Sequence, residues 1–104
     1  MSKKICVIGA GLGGLSAAIR LSNKGFEVDL YEQNTTPGGK AGEIKGQGYR
    51  FDTGPSLLTM PQVIKDLFEE CNENIVDYLT INKLDIICKY FYPDNSIINA
   101  YSDI

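Results

Sequence analysis

A glycine run placed at a change of texture constrains this chain most. Lys4 to Ile8 is a short β-branched stretch, Gly9-Ala10-Gly11-Leu12-Gly13-Gly14 follows at once, and Leu15, Ala18, Ile19 and Ser22 then recur at helical spacing. A short apolar run bounded by turn residues reads as a buried parallel strand. The spacing after it predicts a helix over Gly13–Lys24 with a small-residue face. Asn23-Lys24-Gly25 supplies the stop, with glycine at the position where helices commonly turn left-handed. Phe26 to Glu32 alternates and predicts a second strand. Strand, glycine loop, helix and strand, in about thirty residues, make a βαβ unit with a right-handed crossover.

The glycines of that unit stand at GxGxxG spacing: Gly9, Gly11 and Gly14. The first permits the tight turn out of the strand, the second lets a pyrophosphate approach the backbone, and the third lets helix and strand pack closely. The helix N-terminus then offers unpaired N–H groups and the positive end of its dipole to phosphate. Alone the motif also fits a plain glycine-rich turn; here it follows a strand and opens a helix. Glu32 ends the second strand eighteen residues after Gly14, where a carboxylate can accept hydrogen bonds from ribose hydroxyls and would repel a 2′-phosphate. Its bland alternative is a solvated strand-end carboxylate. Gly38-Gly39-Lys40 follows. A plain NAD fold does not require this glycine pair. It reads as a second loop lying against the cofactor, where side chains would obstruct, with Lys40 near phosphate or flavin. An ordinary Pro-Gly-Gly turn with a solvated lysine is the competing reading.

Beyond Glu32 the pattern changes. Gln33–Lys40 is a polar loop, and Ala41–Phe51 predicts a short hairpin or two short strands around Gly46-Gln47-Gly48. Asp52-Thr53-Gly54-Pro55 is a turn. Pro61 suits the first position of a helix, with Thr59 as its cap. Val63, Ile64, Leu67 and Phe68 give that helix an amphipathic face ending near Cys71-Asn72, with Lys65-Asp66 and Glu69-Glu70 on a solvated side. Asp85–Tyr92 and Ser96–Tyr101 read as two strands joined at Pro93-Asp94-Asn95.

The remaining composition excludes more than it suggests. A net charge of −3 without a basic run gives no reason to expect nucleic acid. Cys6, Cys71 and Cys88 are far apart and odd in number, so neither a disulfide framework nor a zinc site is implied, and a reducing cytosol fits. Cys6 reads as a small core residue. The chain has no histidine, which removes histidine triads and histidine metal sites. Lys3 and Lys4 before an apolar stretch have the look of a signal peptide, but glycines interrupt it and Arg20 follows closely. No stretch approaches the roughly 20 apolar residues of a membrane-spanning helix.

Taken together, Gly9–Gly14, Glu32, Gly38-Gly39-Lys40 and Gly48-Tyr49-Arg50-Phe51-Asp52-Thr53-Gly54-Pro55-Ser56 resemble the N-terminus of the phytoene desaturase type of flavoprotein, within the amine-oxidase-like FAD group. Phe91-Tyr92-Pro93-Asp94 and Tyr101-Ser102-Asp103 are similar to bacterial carotenoid desaturases. The resemblance implies an α/β fold: a Rossmann-like FAD/NAD(P)-binding βαβ unit, the N-terminal part of a doubly wound sheet, over residues 1–60. Residues 61–104 would then be a helix and a β-hairpin opening a substrate domain. It implies noncovalent FAD, and a hydrophobic polyene such as phytoene as substrate. Gly9, Gly11 and Gly14 would contact pyrophosphate, Glu32 the adenosine ribose, Gly39 and Lys40 the diphosphate or flavin side, and Gly54 the flavin ring. The family often has arginine at Lys40, so a bidentate contact would become a point charge. Asp52 is a turn residue or a flavin neighbour. No residue is singled out as a catalytic acid or base.

Such desaturases are several times longer, so the chain is expected to be an N-terminal fragment, inactive alone. Its location would be cytoplasmic, with peripheral membrane contact, and open sheet edges would allow oligomers. Ile86, Ile87, Tyr90 and Phe91 read as core strand residues, with a lipid-channel lining as the lesser reading. The alternatives are a self-contained NAD or ADP-ribose module, a non-catalytic piece that assembles through its sheet edges, and a carotene isomerase or retinol-saturase-like flavoprotein.

Overall fold

The structure, a computed structural model, describes residues 3–102. Strand β1 (Lys4–Ile8) leads into helix α1 (Leu12–Asn23) and strand β2 (Glu27–Tyr31), each within a residue of the sequence reading. Strands β1 and β2 pair in parallel, from Lys4 opposite Glu27 to Ile8 opposite Tyr31. At the far end of this pair, Lys4 bridges Glu27 at 3.3 Å and Asp29 at 3.0 Å. Both strands therefore finish at one edge, and the loop after β1 lies beside the loop after β2. That crevice, outside the carboxyl ends of parallel strands, is where open α/β sheets place ligands.

Both helices close with the same pair of bonds. The N–H groups of Gly25 and Phe26 return to the carbonyls of Ser22 and Leu21, and those of Asn72 and Glu73 to Glu69 and Phe68. Asn72 takes the left-handed backbone that such a stop needs. Helix α2 (Pro61–Glu70) has proline in its first turn, as the sequence implies, but Thr59 is not its cap. Met60 occupies that position and no side chain caps the helix, because a helix that begins at Pro61 places the cap one residue later than Thr59. A single 3-10 turn over Ile75–Asp77, opened by the Asn74 side chain, follows.

Strands β3 (Glu43–Gly46) and β4 (Tyr49–Asp52) form a hairpin. Its two central residues, Gln47 and Gly48, have φ of 51° and 83°, the tight two-residue turn whose twist matches the strands. Strands β5 (Ile86–Phe91) and β6 (Ile97–Tyr101) form another, with an irregularity between Ile86 and Cys88. Here Asn95 N–H donates to Tyr92 O and Tyr92 N–H to Ser96 O, both at 3.0 Å. Asn95 is left-handed at 64°. This is a three-residue loop that suits Pro93 at its first corner.

Among the described residues the strands form three separate two-stranded sheets. Only one layer, α1, packs on the parallel pair, so β1 alternates between exposed and half-covered residues. A parallel strand is buried only when helices cover both faces. Cys6 is accordingly exposed, not a core residue. Ile87, Tyr90 and Phe91 are exposed as well, and Ile86 is half-buried. The β5–β6 hairpin therefore does not supply core strands, because no other element packs on it closely. The radius of gyration is 18.2 Å, against about 13 Å for a compact chain of this length. The surface is 8839 Å², against about 5,800 Å² for a compact monomer of this mass. Ala10, 3% exposed, is the one buried residue among those described.

One tertiary contact lay outside the sequence reading. Glu70 is not simply a solvated carboxylate. It grips Arg20 through two bonds of 2.6 and 3.1 Å, and its carbonyl accepts from Asn23 Nδ2 at 2.8 Å, so the end of α2 is tied to α1. The Arg20 guanidinium holds the Glu70 carboxyl below its ordinary value.

Candidate functional site

Three loops pack in succession, and the first two, with Glu32, meet at Ala10. The first, Gly9–Gly14, leaves β1 through Gly9 at φ 96°, a backbone that side chains disfavour. Gly9 N–H reaches back to Tyr31 O at 2.7 Å, extending the parallel pair into the loop. Gly14 sits in the first turn of α1 directly against this corner. A Cβ there would stand 1.9 Å from the Gly9 carbonyl oxygen. The third glycine thus lets the helix seat on the turn, as the spacing implies. Gly11 caps α1 without any side-chain bond, and no acidic residue lies in the first turn. The leading N–H groups of α1 therefore lack intrahelical partners and face outward with the dipole's positive end.

The second loop, Gly38–Gly42, packs backbone to backbone on the first. Gly38 N–H donates to Ala10 O at 2.7 Å, and Gly11 and Gly38 form a parallel bridge. A Cβ on Gly39 would come within 3.1 Å of the Gly11 Cα. Gly39 is thus kept bare by the approach of one loop to another, whereas Gly38 is required by its own φ of 120° and by the Ala41 carbonyl oxygen, 3.0 Å from where a Cβ would stand. The third loop closes on the second: Thr53 N–H donates to Gly42 O at 3.0 Å, and a Cβ on Gly54 would lie 1.7 Å from the Lys40 carbonyl oxygen. Lys40 itself is exposed and makes no ion pair among the described residues. Asp52 ends β4 and pairs with Arg50 at 2.8 Å.

Glu32 is turned onto the first loop. Its Oε2 accepts from Ala10 N–H at 2.7 Å, and its Oε1 accepts from both the N–H and the Nδ2 of Asn34, at 2.8 and 2.9 Å. These bonds favour the charged form. The Asn34 N–H, then the Ala10 N–H, hold the Glu32 carboxyl below its ordinary value. The structure therefore brings together Gly9, Gly11, Gly14, Glu32 and Gly39, with Gly54 and the Lys40 backbone stacked behind. Ala10 and Asn34 belong to the same group and were not singled out in the sequence. Asn34 left one faint signal: asparagine two residues after an acid, in a loop, commonly bonds to nearby groups. Ala10 left none beyond standing between two glycines.

Such a site joins free amide donors at a helix N-terminus, side-chain-free backbone on adjoining loops, and a carboxylate one strand away. It can receive a linear ligand that carries phosphate beside a polyol. Outside it, the β3–β4 hairpin and Pro55 border a groove of about 290 Å³ lined by Glu43, Arg50 and Asp52. Glu43 there already pairs with both Lys45 and Arg50, and Lys45, then Arg50, hold its carboxyl below the ordinary value. No helix among the described residues is long and apolar enough to cross a membrane.

Residues 7–71 match the NAD(P)-binding Rossmann-like domain family. The chain is 48% identical over all 104 of its residues to a protein of Staphylococcus aureus (strain Mu50) named 4,4′-diaponeurosporene oxygenase, of which it covers 21%. It is 44% identical over 102 residues to the protein of that name in Staphylococcus haemolyticus, covering 20% of it. The chain thus spans about a fifth of the length of the curated relatives it matches. Among solved structures, reduced UDP-galactopyranose mutase aligns over 56% of this chain and 13% of its own, at 38% identity and a TM-score of 0.48.

Proposed function

Because this chain belongs to the NAD(P)-binding Rossmann-like domain family, we propose that its dinucleotide is FAD and that it is the cofactor-holding part of an oxidoreductase acting on a long apolar polyene of the carotenoid class. The observation that carries the reading is the meeting of Glu32 with the glycine loop. A carboxylate bonded to Ala10 N–H stands where the ribose of a nucleotide would lie if its pyrophosphate sat on the N-terminus of α1.

On this reading Gly9, Gly11 and Gly14 leave room for the pyrophosphate, and the free N–H groups of α1 bind it. Glu32 orients the adenosine ribose. Gly39 and Lys40 run along the diphosphate towards the flavin, and Gly54, pressed on the Lys40 carbonyl, keeps the third loop close to the ring. The loops themselves support the reading: three successive backbone approaches, Gly14 on Gly9, Gly39 on Gly11 and Gly54 on Lys40, are built from glycine. FAD, when bound, would take up hydride from the polyene. Residues 1–60 hold the cofactor, residues 61–104 begin the substrate-facing part, and no turnover is expected from this chain alone. The substrate class draws on the names of the relatives and on the resemblance of Gly48–Ser56 to carotenoid desaturases. 4,4′-Diaponeurosporene is the first polyene to assay, and phytoene the second.

The test is titration of the purified chain with FAD, NAD and ADP-ribose, followed by flavin fluorescence and by calorimetry. FAD is expected to bind most tightly, at tens of micromolar (roughly −6 kcal/mol), and Glu32→Ala to weaken it. A folded chain that prefers NAD would overturn the cofactor assignment. A 4,4′-diaponeurosporene oxygenase relative with its own N-terminal fifth replaced by this chain would then be assayed with the two polyenes, and failure to oxidise either would overturn the substrate class.

A further inference from the structure

We propose that Asn34 is a positioning residue that restricts Glu32 to a single ribose hydroxyl; this rests on the ribose role given to Glu32 above. An ionised carboxylate offers about four acceptor sites, two on each oxygen. In this structure Ala10 N–H uses one on Oε2, while the N–H and the Nδ2 of Asn34 both fall on Oε1. Oε1 thereby carries two donors and Oε2 one, with the Gln33 N–H a weaker third backbone influence on the carboxylate, so the open acceptor position lies on Oε2.

A vicinal diol that engaged both carboxylate oxygens would need an acceptor site on each. With Asn34 in place the diol meets only Oε2, so its two hydroxyls are held unequally. One bonds to charge, and the other bonds to water or to another group. The backbone N–H of Asn34 stays on Oε1 whatever the side chain, so the amide of Asn34 alone decides whether Oε1 has a free site. Because the residue is exposed, removing its side chain leaves no cavity, and the effect on ligand choice separates from any effect on folding.

The experiment titrates the chain with ADP, 2′-deoxy-ADP and 3′-deoxy-ADP, for the natural sequence and for Asn34→Ala, following the Ala10 amide by NMR. In the natural chain one deoxynucleotide is expected to bind about tenfold or more weakly than ADP, the scale of a hydrogen bond to a charged group. The other is expected to stay within about twofold. In Asn34→Ala both deoxynucleotides lose about tenfold, because Oε1 now takes the second hydroxyl. A direct carbon-detected titration of Glu32 accompanies it, and the carboxyl is expected to rise towards its ordinary value in Asn34→Ala. Equal losses for both deoxynucleotides in the natural chain, or an unchanged pattern in the variant, would overturn the role of Asn34 while leaving the dinucleotide site standing. Absence of ADP binding to the folded natural chain would overturn both.

Discussion

Gly13 and Gly14 are neighbours in the first turn of α1, yet alanine is expected to move stability in opposite directions at the two. At Gly13 a new Cβ meets nothing within 4 Å. The substitution then gains helix propensity, up to about 1 kcal/mol. At Gly14 the same methyl would stand 1.9 Å from the Gly9 carbonyl oxygen, 3.0 Å from its carbon and 3.7 Å from Val7 Cγ1. Carbon and oxygen without a bond between them rest about 3.3 Å apart or more, so some 1.4 Å has to be recovered by moving backbone. The Gly9 corner cannot yield freely, since Gly9 N–H is bonded to Tyr31 O. Overpacking of this kind costs about 1–3 kcal/mol, occasionally more, and the depth of overlap argues for the upper end. After the propensity gain, Gly14→Ala should lose about 2 kcal/mol. For a domain of this size that lowers the midpoint by roughly 10 °C, whereas Gly13→Ala raises it by a few degrees. Thermal unfolding followed by circular dichroism at 222 nm reads both variants. Equal midpoints, or a Gly14→Ala variant as stable as the natural chain, would refute the account of α1 seated on the glycine turn.

Three further outcomes follow from geometry elsewhere. Gly54→Ala places a methyl 1.7 Å from the Lys40 carbonyl oxygen and should cost about 2 kcal/mol or more. Gly46→Ala, in open space, should cost nothing comparable in the same denaturant series. Gln47→Asn puts a residue tolerant of left-handed backbone at a position with φ 51°, and should stabilise the β3–β4 hairpin by some tenths of a kcal/mol up to about 1 kcal/mol. Cross-strand NMR contacts check that the register of Tyr49 opposite Gly46 is kept. Finally, the Glu32 carboxyl is held below its ordinary 4.5 by its bonds to Asn34 and Ala10. Its folded-state value therefore lies below the unfolded one, so its stabilisation is complete above the unfolded value and disappears as pH falls through the folded value. The protection factor of the Ala10 amide, corrected for the intrinsic pH dependence of exchange, should fall over that acid window, and Glu32→Gln should flatten the dependence.

The local parts of this architecture could be read from residues. Lys4–Ile8, the helix after the glycines and the Gly46-Gln47-Gly48 turn depend on neighbours a few positions away, and so does Pro61 at the head of α2. The position of Glu32 followed from the βαβ spacing. Contacts between distant loops were hidden. Gly38-Gly39 suggests a backbone kept bare for a ligand, while in the structure Gly39 is kept bare for Gly11 and Gly38 for the turn of its own loop onto Ala41. The fork from Arg20 to Glu70 joins residues fifty positions apart, and surface charges carry no record of their partners. Cys6 misled because an apolar strand implies burial only if a second layer exists, and a five-residue pattern says nothing about layers.

The most sheltered of the described residues, Ala10, is also where the glycine loop, the Gly38 loop and Glu32 are joined. In most domains a core and a binding site are separate, and a ligand adds to a stability that already exists. Here the centre of packing is the rim of the site, so occupancy and folding draw on the same contacts. Any molecule seated on these loops would act as a missing piece of interior. Each tenfold rise in its free concentration above the dissociation constant would add about 1.4 kcal/mol to the folded state. The melting temperature of this chain should then work as a gauge of its ligand, rising with the logarithm of concentration.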